Sequence, residues 1–217
     1  MIYKLPHGKF ELNDHPFLLG ESEPLQFCQF WLPALESGFM PGEVRLGWTP
    51  EALCGYTVLK DKQIGNSAKK KGDMPWVLGD VFEIFIQRGD RKDYWELHVT
   101  PENFQMALHL PPKEERVGLN GDAVMKNFLR SPSEFESKVW VEPAENQWRI
   151  AWKIAWSLFE TTEPQKFDWK MAFCRYDYSG PESEPVLSSV CPLALPSFHR
   201  IEDWLKIQLS PISFGEK

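Results

Sequence analysis

The chain reads as an all-β antiparallel sandwich of the immunoglobulin-like or jelly-roll-like type, with long loops and little helix. Three observations predict it. Segments of five to ten residues with period-two alternation recur from about residue 42 to 209, separated by turn residues. Ten tryptophans and fifteen phenylalanines crowd into 217 residues, and both types favour pleated, half-buried surfaces. There is no heptad, internal repeat or low-complexity tract. A chain of this length buries roughly 70% of the surface it exposes when unfolded, so it needs no disulfide or metal staple. We read it as one domain, with residues 1–41 as an N-terminal wrapping segment and 42–209 as the core.

Taken in order, residues 1–41 carry Pro6, Pro16, Pro24, Pro33 and Pro41. Proline removes a ladder donor, so this region is expected to supply edge strands, at 9–12 and 25–31, and covering loops. Residues 42–49 alternate Val44, Leu46 and Trp48 with Arg45 and Gly47, and form a hairpin with 52–60. A long polar loop, 61–79, leads to strands near 80–87, 94–100 and 104–110. Residues 120–130 fit a short helix capped by Asp122 or a strand.

Residues 138–142 and 147–156 form a hairpin around Pro143-Ala144-Glu145-Asn146. Trp148, Ile150, Trp152, Ile154 and Trp156 recur there at period two, the strongest core signal in the chain. One helical turn is expected at 157–160. A strand at 168–176, a second long loop at 177–197 and a last strand at 203–209 complete the order.

The stretch 74–110 is the candidate for function. Phe82, Ile84 and Ile86 alternate with Val81, Glu83, Phe85 and Gln87. Trp95, Leu97 and Val99 alternate with Tyr94, Glu96 and His98. Successive side chains of a strand point to opposite faces, so a hairpin places Glu83, Gln87, Tyr94, Glu96 and His98 together. That face is too polar for a core. A mid-strand carboxylate such as Glu83 must meet water, a ligand or a partner, because burying it unpaired is costly. The structural alternative is a salt bridge from Glu83 to Arg175 or Lys153.

The net charge of -7, from 24 Lys+Arg against 31 Asp+Glu, argues against a nucleic-acid partner. No apolar run reaches the ~20 residues of a membrane span, and the N-terminus lacks a secretory h-region, so a cytoplasmic location is expected, with export of a processed form as the alternative. Cys28, Cys54, Cys174 and Cys191 show no metal-like spacing; in the cytoplasmic reading they are free thiols, and a disulfide requires export. No nucleophile-elbow, zinc-protease or phosphate-loop motif occurs.

Pro75-Trp76-x-x-x-Asp80-Val81-Phe82-Glu83-Ile84-Phe85-Ile86, then Tyr94-Trp95-Glu96-Leu97-His98-Val99-Thr100-Pro101, resemble two successive strands of the family 9 carbohydrate-binding modules and their DOMON-like relatives. Ala52–Asp61, Trp148–Phe159, Trp169–Arg175 and the segments from Ser188 to Leu209 resemble the rest of that pattern in order. The resemblance implies a β-sandwich that binds a mono- or oligosaccharide without catalysis. It matches Trp76 to a stacking tryptophan, Glu83 to a carboxylate that accepts from sugar hydroxyls, and His98 to a position where the family places an arginine.

The candidate ligand-binding residues are therefore Trp76, Glu83, Tyr94, Glu96, His98 and Arg175. The chain departs from the pattern at Val190, where a second tryptophan is expected, and Tyr176, Tyr178 or another loop aromatic would have to replace it. Four further readings stay open. One is a structural or protein-interaction domain of the same fold that has lost the sugar site. A second is a glycoside hydrolase using Glu83 and Glu96. A third is haem binding through Met106 and His109, which their odd spacing places on opposite faces. The fourth is a structural calcium, as in some family members, with Asp90-Arg91-Lys92-Asp93 and Glu182-x-Glu184 as candidate loops.

Overall fold

The structure, a computed structural model, describes residues 2–13, 22–178 and 184–211. Two sheets face each other. The larger runs β1 (Ile2–Leu5), β13 (Leu205–Leu209), β11 (Trp169–Asp177), β5 (Val81–Arg88), β6 (Tyr94–Val99), β7 (Gln105–Leu110), β8 (Leu129–Arg130), with β12 (Val186–Ser189) also on β11. The smaller runs β2 (Leu25–Gln26), β3 (Gly42–Trp48), β4 (Ala52–Lys60), β10 (Gln147–Ala155), β9 (Phe135–Glu142). All pairings are antiparallel except β1 with β13, which is parallel. The all-β sandwich is as expected, and a single α-helix, α1 (Gly121–Phe128), joins β7 to β8 among the described residues.

The core follows the alternation. Trp148, Ile150, Trp152, Ile154 and Trp156 are all buried between the sheets. Trp152 packs against Phe82 and Phe173 of the facing sheet, with ring centroids 6.3 and 5.9 Å away. Gly55, the register partner of Trp152, leaves the room its indole fills. The hairpin turn ends on Asn146 with φ 49°, a left-handed conformation that asparagine tolerates. Trp156–Phe159 makes the expected helical turn, of 3-10 type.

Several local expectations are corrected. No strand forms at 9–12. The first strand is instead Ile2–Leu5, and Phe10 and Leu12 pack on a small apolar cluster of Ala52, Cys54, Tyr56 and Ala151. The expected strand 25–31 stops at Gln26 and continues as a single bridge, Cys28 to Ser189. Asn120, not Asp122, caps α1, its side chain accepting from the Ala123 N–H. β12 lies inside the expected loop 177–197.

β12 and β13 pair with successive halves of the same edge of β11. The chain between them, residues 190–204, leaves that edge. This detour is what brings Pro196–His199 beside the polar face of β5 and β6.

Candidate functional site

Register places the key groups. Glu83 pairs with His98 and Phe85 with Glu96 across β5 and β6. Met106, Leu108 and Leu110 of β7 stand opposite His98, Glu96 and Tyr94. On the other side, Ala172, Cys174 and Tyr176 of β11 share this face. The polar face predicted for the hairpin therefore exists, set in an apolar surround.

A cavity of about 310 Å³ opens on it. Glu83 and Glu96 reach it from the sheet, with Leu108, Leu110 and Tyr176. Three connections form the rim: Trp76 from the 61–79 loop, Arg116 and Val124 from the segment after β7, and Pro196–His199 from the detour after β12. A larger hollow, about 400 Å³, lies between residues 63–67 and 77–79 with Tyr178, and no charged side chain lines it. The hollow beside Trp95 and His109 is about 30 Å³, too small for a sugar ring.

Trp76 sits in a 3-10 turn, Pro75–Val77, held from three sides. Asn66 Nδ2 donates to the Pro75 and Asp80 carbonyls at 2.9 and 3.0 Å. The Tyr178 hydroxyl donates to the Trp76 carbonyl at 2.6 Å. Gly79, at φ +140°, lets the returning chain approach Gly65 where a Cβ would collide with its carbonyl. The indole is half-buried.

His98 is fully buried and bridges the two carboxylates. Its Nε2 lies 2.8 Å from Glu96 Oε1, and its Nδ1 lies 3.1 Å from Glu83 Oε1. The second contact is ionic and lacks hydrogen-bond alignment. Burial alone would lower the histidine, but the two carboxylates outweigh it and push His98 up to about 9. Burial pushes Glu83 above the usual carboxylate range, partly offset by His98. Burial opposes ionisation of Glu96 too, but His199, His98 and Arg116 together hold it below its ordinary value. The result is a buried hydrogen-bonding floor of two acidic side chains and one histidine.

Tyr94 is corrected from ligand contact to support. Its ring is buried against Trp204, and its hydroxyl sits behind the rim. That oxygen accepts from Arg116 at 2.8 Å and lies 2.7 Å from His199 Nδ1.

Arg175 is corrected further. Its side chain points between the sheets, on the face opposite Glu83, with Nη2 3.0 Å from both Asp61 and Asp177. Neither expected partner of Glu83 reaches it, since Lys153 pairs with Glu136. Asp61, Asp80 and Asp177 converge within 4.8 Å of one another, and the Arg175 guanidinium supplies the positive charge at Asp61 and Asp177.

Val190 is buried in the core rather than lining the cavity. Of the two candidate replacements, Tyr176 lines the cavity and Tyr178 props the Trp76 backbone. His199 and Arg116, on irregular segments without periodicity, were not singled out by the sequence. Met106 and His109 fall on opposite faces as expected, His109 stacking on Trp95 at 4.4 Å. In the loop 90–93, Asp90 pairs with Arg88 and Asp93 with Arg91 and His109. Glu182 lies outside the described residues.

No protein-family model matches the chain, and no curated protein matches it by sequence. Its fold is shared with solved structures of low identity. A family 9 carbohydrate-binding module from Caldicellulosiruptor kristjanssonii in complex with glucose aligns over 100% of both chains, with TM-score 0.65 and 11% identity. The module from the same organism in complex with cellotriose aligns over 100% of this chain and 97% of that one, at TM-score 0.65 and 13% identity. A candidate carbohydrate-binding protein from Bacteroides uniformis aligns over 96% of this chain and 98% of its own, at TM-score 0.72 and 12% identity.

Proposed function

We propose that this chain is a non-catalytic carbohydrate-binding protein whose cavity takes a gluco-configured pyranose against Trp76. The observation that carries the reading is the pairing, in one 310 Å³ cavity, of a half-exposed indole with two buried carboxylates oriented by His98. A pyranose with equatorial hydroxyls has an apolar ring face, which suits an aromatic surface, and polar edges, which suit fixed acceptors. Glu83 and Glu96 accept from adjacent hydroxyls, and charge assistance strengthens those bonds. Arg116 and His199 donate to ring or hydroxyl oxygens from the rim.

The solved neighbours that hold glucose and cellotriose support this class of ligand. His98 between Glu83 and Glu96 supports binding over hydrolysis, because one buried imidazole already engages both carboxylates. The family 9 half of the sequence resemblance has neighbours in the fold, and the DOMON-like half is part of the same proposal.

Isothermal titration of the protein with glucose and cellotriose tests the reading. Saturable binding that Trp76→Ala and Glu83→Gln each weaken supports it. Failure of both sugars to bind the folded wild-type protein overturns it.

A further inference from the structure

We infer that a second sugar subsite lies beside the first, between Trp31 and Leu195, so that the preferred ligand is an oligosaccharide rather than a monosaccharide. This rests on the sugar reading of the cavity and extends it to a part of the surface which neither the sequence resemblance nor that reading includes.

The two hollows adjoin. Pro196 lines both the cavity under Trp76 and a second one of about 350 Å³. Their floors are joined by strand pairing: Tyr176 of β11, in the first, is the register partner of Leu187 of β12, in the second. Cross-strand partners stand roughly 5 Å apart on the same face, a step on the scale of one sugar ring. A chain leaving the first cavity over Pro196 therefore meets the second directly.

The chemistry of the second hollow suits a sugar ring. Trp31 is partly buried against the core, which fixes it, and the rest of its indole lines the hollow. Leu187 and the 55%-exposed Leu195 supply further apolar surface, and the exposed Glu36 supplies an acceptor. The wall is held before any ligand arrives. Cys28 and Ser189 exchange two backbone hydrogen bonds, at 2.9 and 3.0 Å. Gln29 donates to the Leu187 carbonyl at 3.0 Å and accepts from the Glu36 N–H at 2.9 Å. Preorganisation of this kind lowers the ordering cost of binding. The Cys28–Ser189 bridge also covers the Ser189 end of the outer edge of β12.

The test titrates wild type, Trp31→Ala and Leu195→Asp with glucose, cellobiose and cellotriose. Leu195 is exposed, so its variant keeps the fold if Trp31→Ala does not. Wild type is expected to bind cellotriose about tenfold or more tighter than glucose, the scale of one hot-spot contact. Both variants are expected to keep the glucose affinity and lose that increment. If cellotriose gains nothing over glucose, or keeps its gain in both variants, the second subsite is wrong while Trp76-dependent glucose binding still stands. If no sugar binds, the cavity reading fails and this inference falls with it. A dimer in solution that Leu195→Asp dissociates without altering sugar affinity would assign the surface to a second copy of the chain and overturn the subsite.

Discussion

The indole of Trp76 lies over the imidazole of His98, ring centroids 5.4 Å apart and planes tilted by 41°. One residue comes from an irregular loop and the other from the middle of β6. The contact gives the loop a fixed seat on the sheet, and it covers a histidine that two carboxylates keep cationic. A cation beneath a tryptophan face is favourable in itself. The same indole that seals His98 from water presents its remaining surface to the cavity.

Removing that surface should cost binding. Trp76→Ala is expected to weaken sugar binding by at least about tenfold, whereas Trp76→Phe retains part of it, since an aromatic face remains. Titration calorimetry with cellotriose reads both, with circular dichroism to establish that each variant is folded. Equal affinity in the alanine variant would exclude Trp76 from the site.

Stability should fall as the solution becomes alkaline. His98 rises from 6.5 to about 9 on folding, so its contribution is complete below pH 6.5 and lost as pH rises through 9. Asp80, raised by burial and by Asp61 to about 8, and Asp177, raised by burial to about 6, slope the same way from 3.8. Melting temperature is expected to be higher at pH 6 than at pH 9. In His98→Gln the drop between those values should be smaller. An unchanged drop would mean that His98 does not titrate in that range.

Arg175 should matter for folding and not for the ligand. Truncating one partner of a buried ionic cluster typically costs about 3–5 kcal/mol, because the remaining charges stay desolvated. Arg175→Met leaves Asp61 and Asp177 facing each other and is expected to fall in that range by urea denaturation. Its sugar affinity, measured well below the melting temperature, should match wild type. A selective loss of binding would contradict the placement of Arg175 between the sheets.

Gly55→Ala should destabilise through overpacking. A Cβ at residue 55 would come within 2.1 Å of the Trp152 indole, whose Nε1 donates to Thr57 Oγ1 at 3.1 Å. Forcing that indole from its place is expected to cost about 1–3 kcal/mol or more by chemical denaturation. Intrinsic fluorescence should report an altered tryptophan environment.

Much of this architecture was legible in the chain itself. Strand periodicity is local, so the hairpins β3–β4, β5–β6 and β9–β10, and the buried row from Trp148 to Trp156, follow from residues close in sequence. The same parity argument put Glu83, Glu96 and His98 on one face. It does not reach Arg175, because alternation says which residues of a strand share a face, not which face of β11 matches which face of β5. Here Arg175 shares its face with Phe82, and Cys174 with Glu83.

By itself, then, the sequence determined the all-β class, the order of the central strands and the polar floor, since each depends on contacts between near neighbours in the chain. Tertiary structure alone decided the rest of the site. Only when β12 and β13 divide one edge of β11 does the segment between them come to the rim with His199, and only the packing of Tyr94 under that rim ties His199 to Arg116. Those residues lie 105 and 22 positions from Tyr94, on segments without periodicity, and no local rule links positions that meet only through the closure of a sheet.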